Sequence, residues 1–156
     1  MFAARARLLL VTFWVGSLWT IGYLVAPALF LTLPDRALAG TIAGSLFRVE
    51  AWVSIVCGTA LIVLIAVVKD QHGRTTRKTC LYLALGILAG TLMGYFGLQP
   101  FMAALRETSG PGGVMDAAAK TRFGILHGLS SGIYLIQSLL GVALVLKMRT
   151  LELANN

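Results

Sequence analysis

LLLVTFWVGSLWTIGYLVAPALFLTLP, residues 8–34, runs without one charged side chain. A bilayer's hydrocarbon core is about 30 Å thick and an α-helix rises about 1.5 Å per residue, so about 20 apolar residues cross it. This run is long enough, and three more follow: residues 51–68, 79–105 and 123–146 contain no Asp, Glu, Lys or Arg. The chain is 58% hydrophobic and 12% charged, too little polar surface to clothe a water-soluble domain. The sequence therefore predicts an all-α fold, a four-span antiparallel transmembrane bundle. It forms a single membrane domain over residues 1–156, with spans near 8–33, 48–68, 79–101 and 122–146.

The charges sort to two sides. Arg5 and Arg7 precede span one, Lys69, Arg74, Arg77 and Lys78 fill the link between spans two and three, and Lys147 and Arg149 follow span four. The other basic residues, Arg36, Arg48, Arg106, Lys120 and Arg122, fall in the opposite links and are partly offset by Asp35, Glu50, Glu107 and Asp116. The positive-inside rule then places both termini in the cytoplasm, N-in and C-in. Basic flanks account for the formal charge of +7, so no nucleic acid is needed as a partner. A cleaved signal peptide is the competing account of the N-terminus, but its apolar run is shorter and this one carries Trp14, Trp19 and Tyr23. Cys57 falls near mid-membrane and Cys80 at the cytoplasmic end of span three, which disfavours a bridge between them.

Between spans one and two, Leu38, Ile42 and Leu46 recur at helical spacing, which predicts a short extra helix on the outer side over residues 35–47. A helix unbroken from Asp35 to Val68 would be about 50 Å long. Either it protrudes or it breaks near Gly40 and Gly44. The link KDQHGRTTRK, residues 69–78, is rich in turn formers and leaves His72 solvated. SGPGG, residues 109–113, cannot hold a helix, whereas residues 114–120 restart one. The tail after Arg149 is expected to fray.

Glycines set the expected packing. Gly86, Gly90 and Gly94 on span three, and Gly124, Gly128 and Gly132 on span four, each form a bare strip that lets backbones approach. Antiparallel spans would bring the strips face to face. The competing arrangement is a homo-oligomer through either strip.

Polar groups inside a span are expensive and mark pairing or function. Measured from the middle of each apolar run, Glu50, His127, Pro27 and Tyr95 all fall about 10 Å to the outer side of centre. Gln99 lies one turn higher, and Arg48 and Arg122 stand at the rim. Two readings are open. In the bland one, Glu50 pairs with Arg122 or Arg48, and His127 is a satisfied core histidine. In the functional one, Glu50, His127, Tyr95, Gln99 and Arg122 line an outward-facing cavity for a metal, a cofactor or a protonatable substrate. Glu50 and His127 are the candidate metal ligands, with Met93, Met102 or Tyr95 needed to complete a set. Trp14, Trp19, Tyr23 and Trp52 are spread over depths and read as helix packing. No phosphate loop, nucleophile elbow or multi-cysteine zinc pattern is present, so the reading leans away from an enzyme and assigns no cofactor.

Residues 16–47, GSLWTIGYLVAPALFLTLPDRALAGTIAGSLF, and 122–141, RFGILHGLSSGIYLIQSLLG, resemble the two signature regions of the bacterial domain of unknown function 4149. That family is similar to eukaryotic transmembrane protein 205, and the layout loosely resembles copper-resistance membrane proteins of the CopD type. The motif positions carried over are Trp19, Pro27, Phe30, His127, Gly128 and Ser130. The resemblance implies four spans in a bacterial inner membrane and an association with resistance to metal drugs. The chain departs from the copper-resistance pattern in having one intramembrane histidine and no methionine-rich motif.

Three functions follow as expectations. The first is transport of, or resistance to, a metal complex or hydrophobic cation through the outer polar pocket. The second is a redox protein with His127 as axial ligand to haem. The third is a partner subunit without chemistry.

Overall fold

The computed structural model describes residues 2–67, 74–107 and 115–153. The expectations for the link around His72 and for SGPGG lie outside these residues. Four long helices cross the molecule: Ala3–Thr32, Arg36–Val67, Arg74–Glu107 and Ala117–Leu151 each meet the length and hydropathy needed to span a bilayer. Their outward faces carry Leu9, Phe13, Val56, Val63, Leu139 and Leu146, all exposed. Apolar surface on every side is the mark of a bundle whose solvent is lipid.

Span one divides into α1 (Phe2–Trp19), a π-turn (Thr20–Val25) and α2 (Ala26–Thr32). Span two is α3 (Arg36–Val67). Span three divides likewise into α4 (Arg74–Leu92), a π-turn (Met93–Leu98) and α5 (Gln99–Glu107), and span four is α6 (Ala117–Leu153). Each π-turn ends two residues before a proline, Pro27 or Pro100. A proline ring has no N–H and crowds the carbonyl four residues back, and one extra residue in the turn relieves that clash. Asp35 caps α3, its Oδ1 accepting from the backbone N–H of Ala37 at 2.8 Å and of Leu38 at 3.1 Å. Asp116 caps α6 in the same way through Ala119, at 2.6 Å.

In one half of the bundle α1, α3, α4 and α6 close around a packed core. Val11, Trp14, Leu18, Leu61, Ile65, Ala84, Ile87, Leu144 and Met148 belong to it. Arg77 of α4 closes this end, donating to the last carbonyls of α3 at Ile65 (2.8 Å) and Ala66 (2.7 Å). In the other half α2 lies on α3, and α5 lies on α6. The two pairs stand apart, and the bundle is hollow between them.

Two expectations change, and of the two alternatives for residues 35–68 the unbroken helix is the one found. The outer segment over residues 35–47 is helical, but it is the start of α3 and not a separate short helix. It does not break at Gly40 or Gly44, because Ala39 and Ala43 bury one face of the same turns and offset the roughly 1 kcal/mol that an interior glycine costs. The tail does not fray at Arg149: α6 continues to Leu153, with Leu151 buried in the core.

The glycine strips also do not meet. α4 and α6 are paired extensively, yet a Cβ on Gly86 would meet Leu140 and one on Gly90 would meet Gln137, while Gly94, Gly124, Gly128 and Gly132 have nothing within 4 Å. The pairing is displaced along α6 by eight residues, from Gly132 to Leu140. Gln137 explains the register, since its buried amide donates to the Ile87 carbonyl (3.0 Å) and to Thr91 Oγ1 (2.9 Å). A primary amide in an apolar layer must find partners, and that need outweighs close backbone approach.

Candidate functional site: a cavity that ends on Glu50

The hollow half encloses a cavity of about 1370 Å³. Asp35, Arg36 and Lys120, all exposed, stand at its rim. Its walls are mainly aromatic and small residues, among them Phe30, Phe47, Tyr95 and Phe123. Glu50, Ser54, Thr91, Tyr134 and Gln137 form its floor, where the packed core begins.

Glu50 is 3% exposed. Its Oε1 accepts from Ser17 (3.2 Å) and from Ser54 (3.3 Å), and Ser54 in turn accepts from the Trp14 indole (2.9 Å). Its Oε2 is buried and has no hydrogen-bond partner. Ser54 is one helical turn from Glu50 on the same helix, and Ser17 also donates to the Trp14 carbonyl (2.9 Å). The carboxyl is thus fixed through one oxygen, and the other is left unsatisfied inside the membrane half-bundle.

Beside Glu50, Tyr134 is wedged into span one. Its hydroxyl donates to the Leu18 carbonyl (2.6 Å). In a regular α-helix Leu18 C=O and Gly22 N–H would bond to each other. The phenol reaches that carbonyl at the entry to the π-turn. Glycine is required at position 22, because a Cβ there would overlap the Tyr134 ring. Edge contacts with Phe47 (5.4 Å) and Tyr23 (6.2 Å) hold the ring from either side, and the Tyr23 hydroxyl donates to Ser138 (2.8 Å).

Higher in the cavity Arg106 of α5 reaches across to α3. Its Nη1 lies 3.0 Å from where a Cβ on Gly44 would stand. Its guanidinium lies 5.2 Å from the centroid of the Phe123 ring, a cation–π contact. His127 is exposed and stacks parallel to Phe123, with centroids 6.1 Å apart.

Glu50, Tyr95, Gln99 and His127, brought to similar depths by the sequence, all line this cavity. Arg122 does not: it is exposed and absent from the lining. Nor do Arg48 and Arg122 neutralise Glu50, which forms no ion pair among the described residues. Met102 is buried in the cavity wall, whereas Met93 is exposed outside it. Among the described residues no group of three or more His, Cys, Asp or Glu is arranged to hold a metal. The sequence reading missed Arg106, Ser17, Ser54, Tyr134 and Gln137. Ser54 and Gln137 carried a signal, as one lies a turn from Glu50 and the other is an amide deep in an apolar run. Arg106 counts in the sequence only as one of the basic residues of the outer links, and Tyr134 has no neighbouring feature that marks it.

Compared with known proteins, the chain matches the profile of Domain of unknown function (DUF4149) over residues 9–110. No curated protein and no solved structure matches it. The matched range holds α1 to α5, and with them Glu50 and Arg106. The stretch 122–141 on α6 lies beyond it.

Proposed function

We propose that this chain, which belongs to the DUF4149 family, is a small membrane carrier or resistance protein that takes an amphipathic cation into the cavity above Glu50. The reading rests on one observation: a carboxyl 3% exposed, with one oxygen unpartnered, closes a cavity of about 1370 Å³. A buried acid without a counter-charge is costly in a membrane protein and is retained where something else supplies the charge. The aromatic walls suit an organic cation through both apolar area and cation–π attraction. A metal complex is the weaker form of the same reading, because His127 stacks on Phe123 and no ligand cluster supports a bare ion. The likeness to transmembrane protein 205 rests on the sequence stretches alone and supplies the association with resistance. The charge distribution supports a cavity facing outward from a bacterial inner membrane.

Equilibrium dialysis of purified protein with tetraphenylphosphonium tests this. The reading expects saturable binding that Glu50→Gln weakens at least tenfold with the amount of folded protein unchanged. Binding equal in both proteins, or none in either, would remove it. A second reading, a partner subunit docking through α6, is favoured by the open space at Gly124, Gly128 and Gly132. It expects Gly128→Leu to shift the oligomeric state in detergent while Glu50→Gln is silent.

A further inference from the structure

Glu50 is not the only charge in the cavity that lacks a counter-charge. Arg106 lines the same space, and among the described residues it forms no ion pair, its recorded partners being the Phe123 ring and the Gly44 turn of α3. Glu50 lies six residues beyond Gly44 on that helix, so its backbone stands about 9 Å farther along the axis than the turn Arg106 touches, at ~1.5 Å per residue. At that offset the two charges do not neutralise each other by contact. Two opposite charges that could have paired inside an apolar bundle are instead held apart across open space. Phe47, Tyr95 and Phe123 line the same cavity.

From this arrangement we infer that the ligand is a zwitterionic amphiphile, with its cationic group on Glu50, its anionic group on Arg106 and its apolar part against the aromatic wall. The inference rests on the cation reading and narrows it. Glu50 lines the floor, and its buried Oε2 is the acceptor that has no partner within the protein. The Arg106 guanidinium supplies a forked donor suited to a phosphate or carboxylate. A headgroup in which an anion and an ammonium are joined by a short linker spans such a gap once the two contact distances are added. A simple cation would leave Arg106 unsatisfied and be repelled by it. A simple anion would do the same at Glu50. The exposed Arg36, Lys120 and Asp35 at the rim are screened by water and do not discriminate, and His127 is stacked on Phe123 at the side.

The test compares four probes on purified full-length protein in a non-ionic detergent, with binding read by native mass spectrometry. Three share a twelve-carbon chain: dodecylphosphocholine, dodecyltrimethylammonium and dodecyl phosphate. The fourth, glycerophosphocholine, carries the zwitterionic head without the chain. The zwitterion with its chain is expected to bind at least tenfold more tightly than the other three. Arg106→Gln should reduce it to the level of the ammonium probe, Glu50→Gln to that of the phosphate probe, and Arg106→Lys should retain most of the preference. If the ammonium probe binds as well as the zwitterion, and Arg106→Gln leaves or improves it, the inference is overturned while the cation reading survives. If glycerophosphocholine binds as tightly as the chained probe, the amphiphile part is overturned. If neither cationic nor zwitterionic probe binds the wild-type protein, both readings fall together.

Discussion

At the residue scale, the account distinguishes groups that hold the fold from groups that serve a ligand. Gly22 belongs to the first kind. Gly22→Ala places a methyl group in the Tyr134 ring and is expected to cost about 1–3 kcal/mol, as overpacking does, seen as a lowered midpoint of thermal unfolding in detergent. Gly94→Ala, at a position with nothing within 4 Å, should leave that midpoint unchanged or raise it, since alanine favours helix. Under the proposed function Glu50 is of the second kind. A carboxylate needed for packing would lose stability on becoming an amide, whereas one that awaits a ligand should not. Glu50→Gln is therefore expected to unfold at the wild-type temperature or above. A marked drop would make Glu50 structural. The sequence disclosed Glu50 because an acid stands out in an apolar run, but it could not disclose that Arg48 and Arg122 turn away. Side-chain direction depends on helix rotation, which charge placement leaves open.

At the element scale, a π-turn interrupts each of spans one and three, and the prolines that follow them were legible as residues but not as geometry. The sequence places Pro27 by depth alone. The Leu18 carbonyl at the entry to the π-turn takes a hydrogen bond from Tyr134 of α6, a residue more than a hundred positions away that has no local signature. Tyr134→Phe removes the hydroxyl that bonds the Leu18 carbonyl. Its expected effect is a loss of about 1–2 kcal/mol, typical of a buried hydrogen bond whose partners are left unmade, with faster amide exchange at Gly22. Unchanged exchange there would mean that the turn does not need the phenol. The caps on α3 and α6, by contrast, were readable: Asp35 and Asp116 each precede an apolar periodic run.

For the whole molecule, four spans followed from counting uncharged residues against bilayer thickness, and the structure has four helices of the required length. The hollow half did not follow from that count. The glycine strips pointed to uniform close packing of spans three and four, whereas Gln137 draws α4 onto the later turns of α6 and leaves Gly124, Gly128 and Gly132 uncovered. A buried amide chooses register by hydrogen bonding, and small residues merely permit approach. Gln137→Leu should accordingly loosen the α4–α6 pairing, with a loss of about 1–3 kcal/mol as the Thr91 and Ile87 groups lose their partner, measured by unfolding in detergent.

The central claim, a bundle closed in one half and open in the other down to the level of Glu50, is tested most directly by thiol labelling. In a background with Cys57 and Cys80 replaced by serine, single cysteines at Gly94 in the cavity and at Ala84 in the core would be exposed to a water-soluble maleimide in native membranes. The account predicts labelling at position 94 and none at position 84. Protection of position 94 to the same degree as position 84 would contradict it.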